Sequence, residues 1–219
     1  MERITTFLNN CPKTNSKGEN ITLVAATKMV TPDLINQAFS LGINNIGENK
    51  AQEFTQKYPF YPPATYHFIG HLQTNKVKQV VGKAHLIQSV DSLKLLTAIN
   101  TCAEALNITQ NILLEVNIGN DEAKHGFLKE EVFDALSVAS SLKNVYLQGL
   151  MTVLPKCENK NKLASLCLQM RNLYDIIKEG NPSIEYLSMG MSCDYLTAIE
   201  CGSNMIRIGS LLFGERDYS

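Results

Sequence analysis

The sequence carries almost no net charge. Twenty basic residues face 21 acidic ones, a formal balance of −1, so no basic field marks the chain as a nucleic-acid binder. No apolar run approaches the roughly 20 residues of a membrane helix. The opening segment, MERITTFLNNCPKTNSKGEN, lacks the apolar centre of a signal peptide. Its acidic residues also count against a transit peptide. None of the six cysteines stands in a CxxC pair. That pattern reads as reduced thiols in a cytoplasm. Low-complexity stretches and splitting linkers are missing too, so residues 1–219 are expected to form one domain, with residues 1–20 as an N-terminal helix and loop.

Short apolar runs alternate with longer helical patterns. Strands are expected over 21–28, 44–49, 65–70, 85–90, 111–119, 147–154, 185–192 and 204–214. Helices are expected between them: 31–42, 50–58, 73–82, from 91 or 92 to 106, 129–141, 158–178, and a short one ending near 201. Thr31 and Pro32 suit a helix start, and Gly42 a helix end. The strands are apolar on both faces, as parallel strands covered by helices are. Eight such steps predict an α/β chain folded as a (β/α)8 barrel of the TIM type, with an open doubly wound sheet as the structural alternative. No GxGxxG follows the first strand, which removes the usual dinucleotide site.

In a barrel, chemistry collects at the C-terminal strand ends. The first strand ends at Lys28, the second in GEN, the seventh in SMGMS, and the eighth carries Arg207, Gly209 and Ser210. GMS and IGS each supply backbone N–H groups and a hydroxyl at the strand ends where barrels often hold phosphate. Gly190 and Gly209 would let the backbone come close to that anion. Lys28 across from a phosphate cradle suits a Schiff base with pyridoxal phosphate. The attacking amine must be neutral, and desolvation favours that form of a lysine. Arg207 stands two residues before Gly209 and so on the same strand face. An arginine against the pyridine nitrogen would keep it unprotonated and make the ring a poorer electron sink. Taken singly, Lys28 also reads as a solvated strand end and Arg207 as an ion pair inside a barrel.

These residues stand in longer matching stretches: VAATK, GINNIGENKAQEF, YHFIGHLQTNK, EVNIGNDEAKHGF, LQGLMTV and LSMGMSCDYLTAIECGSNMIRIGSLLFGER, together spanning nearly all of 21–216. In them the sequence resembles the pyridoxal phosphate homeostasis proteins. The resemblance implies a barrel like the N-terminal domain of bacterial alanine racemase, with pyridoxal 5'-phosphate (PLP) held by Lys28 as an internal aldimine. It implies Ser192, Gly209 and Ser210 on the phosphate and Arg207 at the pyridine nitrogen. Asn49, Met151 and Ser188 would line the ring. The family often has threonine where Ser210 stands, and either hydroxyl can donate to phosphate. The N-terminal segment looks short for the family. Alanine racemase takes a second base from a separate C-terminal domain, and no such domain is read in this chain. The family is regarded as binding and delivering PLP, with effects on vitamin B6 and amino-acid balance and no established activity. The expectation is therefore a cytoplasmic monomer that carries PLP, with apo PLP-dependent enzymes as recipients and no catalytic residue assigned. An amino-acid racemase-like enzyme is the alternative. A barrel for another phosphorylated metabolite, with Lys28 as an ion-pair donor, is a third reading.

Other features are discounted. His67 and His71 are four apart but on a strand and its turn, with no third ligand evident, so no metal is expected. Lys76, Lys78 and Lys83 read as a solvated helix face, or as a second anion site. Cys193 beside Ser192 has the place for a lowered pKa but reads as structural. Cys201 reads as core.

Overall fold

The computed structural model describes residues 1–60, 64–157 and 159–215. The expected helix start at Glu158 and the last motif residue, Arg216, lie outside them. Eight strands run β1 Thr22–Ala26, β2 Asn45–Glu48, β3 Thr65–Phe68, β4 Leu86–Val90, β5 Gln110–Glu115, β6 Val145–Met151, β7 Tyr186–Ser188 and β8 Met205–Ile208. Every neighbouring pair is parallel, and β8 returns to β1 through Thr22↔Met205 to Ala25↔Ile208, closing the barrel. The fold is thus the expected (β/α)8 barrel.

The helices are α1 Glu2–Asn10, α2 Pro32–Ser40, α3 Ala51–Lys57, α4 Val77–Val80, α5 Leu93–Ala105, α6 Val132–Ser141, α7 Lys160–Gly180, α8 Tyr195–Glu200 and α9 Ser210–Phe213. Thr31 takes the N-cap position of α2, with Pro32 at its first turn, but its hydroxyl makes no cap bond. Of the two candidates for capping α5, Ser92 does so, its Oγ accepting the Leu95 N–H at 3.3 Å. Asn159 caps α7 through its Oδ1 to the N–H groups of Asn161 and Lys162.

Seven of the eight strands stop short of their expected C-terminal ends; β4 ends at Val90 as expected. β1 ends at Ala26, and Lys28 lies in the following turn, where Met29 takes a positive φ of 56°. β5 ends at Glu115 rather than at Gly119, and β8 gives way to α9 at Ser210. Apolar residues continue in the sequence past each strand because the barrel rim and the loops above it are also packed. Val116, Ile118 and Met189 are all buried without being in strands.

Most apolar side chains pack between the barrel and its helices, in one large cluster and a smaller one that takes in Ile4 and Phe7 of α1. The barrel's inside is different. A layer of Val24, Leu86, Leu113, Met151 and Met205 fills it, and a polar chain crosses beside that layer toward the open end.

Candidate functional site at the barrel mouth

The turn that carries Lys28 is clamped on both sides. Lys57 of α3 donates from Nζ to the Thr27 carbonyl (2.6 Å), to Glu48 Oε1 (2.9 Å) and to Glu53 Oε1 (2.6 Å). Glu53 Oε1 accepts the Met29 N–H at 2.6 Å. Thr27 Oγ1 donates to Glu48 Oε1 at 2.6 Å. The peptide units before and after Lys28 are therefore fixed by one ionic cluster, and Lys28 itself is half-buried. Burial pushes the Glu48 carboxyl up, against the pull of Lys57. Its Oε2 is buried with no hydrogen-bond partner among the described residues, so Lys57 is what compensates this carboxylate.

Opposite, the β7–α8 and β8–α9 junctions meet. Gly190 sits at φ 100°, where a Cβ would come within 2.8 Å of the Ala198 Cβ, so only glycine fits without strain. Asp194 Oδ1 accepts the Met191 N–H at 2.5 Å, holding the turn that presents Ser192. The Ser192 Oγ accepts from the Gly209 N–H at 3.3 Å and the Leu211 N–H at 3.5 Å. Backbone N–H groups of β8–α9 and the hydroxyl of β7–α8 thus converge on one point, as an anion cradle requires. Gly209 has an ordinary negative φ of −118°, so any need for glycine there is one of space rather than of backbone conformation.

Beneath the cradle lies Arg207, 4% exposed. Its Nη1 donates to Ser188 Oγ at 2.6 Å and its Nη2 to the Thr152 carbonyl at 2.8 Å. Burial pulls its pKa down to about 10, opposed by Glu115 and Asp194, so it remains a cation at neutral pH. It makes no salt bridge among the described residues, and its two hydrogen bonds go to neutral acceptors. Ser188 Oγ donates onward to Gln88 Oε1 at 2.6 Å. Gln88 Nε2 lies 2.9 Å from His67 Nδ1, and His67 Nε2 lies 3.2 Å from Asn45 Oδ1. With the Gln88 amide donating, the imidazole accepts at Nδ1 and donates at Nε2, so every bond points away from the guanidinium. Burial pulls the His67 pKa down to about 3, which keeps the ring neutral as this chain demands.

A cavity of about 720 Å³ opens above these groups, lined by Asn49, Ser192, Arg207, Gly209 and Ser210 together with Lys156 and Cys193. Five expected site residues thus share one cavity. Ser188 and Met151 do not line it: Ser188 holds Arg207, and Met151 belongs to the apolar layer inside the barrel. Lys28 lies outside the lining, two residues beyond Ala26, which does line it. A guanidinium has five N–H donors, of which two have acceptors among the described residues. The remaining donors, the cradle and the volume fit a ring-bearing phosphate. The parts of Gln88 and His67 in this network were missed from sequence, since a polar residue inside a strand announces nothing until the opposite strand is known; Thr152, just past β6, acts through its carbonyl, which no side-chain pattern reveals. Glu115 was missed too. It lies at the mouth end of β5, 7% exposed, its carboxyl pushed up to about 7 by burial and by Asp91.

The profile of the family described as "Alanine racemase, N-terminal domain" matches residues 9–217. A curated pyridoxal phosphate homeostasis protein from Aquifex aeolicus is 42% identical over 206 residues, covering 92% of this chain and 90% of that one. The chain belongs to the pyridoxal phosphate homeostasis protein family. Among solved structures, PipY of Synechococcus elongatus with PLP bound matches with a TM-score of 0.85 at 28% identity, over 97% of this chain and 99% of that one. Alanine racemase of Clostridium difficile matches with a TM-score of 0.77 at 15% identity. That match covers 99% of this chain but only 56% of the racemase, and at such identity it speaks for the fold alone.

Proposed function

We propose that the chain binds PLP in the barrel mouth and serves intracellular PLP and amino-acid homeostasis as a carrier. Lys28 forms the Schiff base; Ser192, Gly209 and Ser210 hold the phosphate; Asn49 flanks the ring; and Arg207 faces its pyridine nitrogen. When bound, PLP supplies an aldehyde for amines and an electron sink for carbanions. The chain's part is to fix that group and restrain it. The observation that carries the reading is Arg207: a buried cation with no ion pair among the described residues, aimed by Ser188 and Thr152 into the cavity that the anion cradle also lines. A cation at that place disfavours a protonated pyridine, so the ring withdraws electrons weakly and α-proton chemistry is slow. The carrier acts as a one-domain cytoplasmic monomer and hands PLP to apo enzymes. Family membership and the PLP-bound relative support PLP as the ligand.

A racemase-like activity is the alternative. Proton–deuterium exchange at the Cα of L- and D-amino acids, followed by NMR in D2O with PLP-loaded protein, separates the two. Exchange no faster than with free PLP supports the carrier. Exchange above that level, lost in Lys28→Ala, overturns it.

A further inference from the structure

The other side of the mouth, at the ends of β3, β4 and β5, holds a cluster that the PLP site does not use. His71 follows β3, Asp91 follows β4, and His125 comes from the loop between β5 and α6. His71 Nδ1 lies 2.7 Å from Asp91 Oδ2, and His125 Nδ1 lies 3.8 Å from the same oxygen. The two imidazoles stack with centroids 3.7 Å apart and planes 10° from parallel. Their ligating atoms and the Asp91 oxygen all lie within 4.8 Å of one another.

We propose that His71, Asp91 and His125 form a Zn²⁺ site at the barrel mouth. Two imidazole nitrogens and one carboxylate are a donor set that zinc takes, in tetrahedral geometry with a fourth position left to water. Bond lengths of roughly 2.0–2.2 Å put tetrahedral ligand atoms about 3.4 Å apart, and the distances of 2.7 and 3.8 Å bracket that spacing. Parallel rings do not converge on one metal, so binding turns one of them out of the stack. His125, with its side chain 57% exposed, is free to turn.

An independent observation points to a cation. Glu115 is 93% buried at the end of β5, and its carboxyl has no hydrogen bond or ion pair among the described residues. Asp91 pushes against its charge, while Arg207, His71 and Lys124 favour it from a distance without bonding to it. Among the described residues, the side-chain hydrogen bonds at Asp91 are those from His71 to Oδ2 and from Ser92 Oγ to Oδ1 (3.1 Å), and His125 makes none. Zinc would satisfy the group and tie the β5–α6 loop to the ends of β3 and β4.

The test uses untagged, PLP-free, metal-stripped protein. Zn²⁺ is competed against a chromophoric chelator, and Co²⁺ is added in parallel to read coordination from its visible spectrum. The expected result is one equivalent of Zn²⁺ and tetrahedral Co²⁺ bands. His71→Ala and His125→Ala should each weaken binding by at least about 100-fold, while Cys193→Ser and Lys28→Ala leave it unchanged. Circular dichroism checks that the His125 variant is folded, as its exposed side chain predicts. No saturable equivalent, or binding that survives both histidine variants, overturns the site and leaves thiol or adventitious binding only. Because PLP is absent and Lys28→Ala is a control, failure here is separate from failure of the PLP reading.

Discussion

A guanidinium taken out of water is costly unless its N–H groups meet oxygen acceptors. Arg207 meets two, and one of them, Ser188 Oγ, is itself steered by Gln88. Ser188 is therefore a positioning residue rather than a ring contact. Ser188→Ala should weaken PLP binding about tenfold, the loss of one charge-assisted hydrogen bond. Titration of the PLP absorbance checks this, and unchanged affinity would remove Ser188 from the site. His67 at the other end of the chain makes a prediction about acid. Its folded pKa of about 3 lies below the ordinary 6.5, so the unfolded chain binds a proton that the folded one refuses. Stability from this group is full above pH 6.5 and is lost as pH falls from there toward 3. The loss between pH 7 and pH 5 is about 2 kcal/mol. Chemical denaturation at the two pH values should find that slope in the native chain and a flatter one in His67→Gln.

At the scale of elements, the β1 turn depends on a lysine in α3 far more than its own sequence suggests. Lys57→Met leaves Glu48 as an uncompensated buried carboxylate and frees the Thr27 carbonyl. A loss of about 2 kcal/mol is expected, together with a weaker PLP absorbance at equal protein. A variant as stable as the native chain and equally loaded would refute the clamp. The β7–α8 junction rests on Gly190. Gly190→Ala places a methyl 2.8 Å from the Ala198 Cβ at a φ of 100°. It should cost about 2–3 kcal/mol and lower phosphate affinity, read as a drop in melting temperature and in binding of PLP.

At the scale of the whole molecule, the barrel was legible because eight apolar runs are separated by helical patterns, and parallel strands covered on both sides have that signature. The phosphate half of the site was legible for a related reason. GMS and IGS are contiguous, and their role depends only on which strand ends they occupy. The barrel floor was not. Gln88, His67 and Asn45 come from β4, β3 and β2, and nothing in any one strand reveals that the three would bond in series. Nor did the spacing of His67 and His71 foretell that one ring turns inward to that chain while the other meets His125 from 54 residues onward. Strand ends were overextended because burial continues beyond the last ladder hydrogen bond.

Lys28 is also the residue on which the account stands. It is half-buried beside the cavity, whereas Lys156 lines it. Borohydride reduction of PLP-loaded protein fixes the cofactor to whichever lysine holds it, and peptide mass spectrometry then names that lysine. The account predicts a single phosphopyridoxyl group, on Lys28. A label on Lys156, or none in protein that still absorbs as PLP-bound, would contradict it.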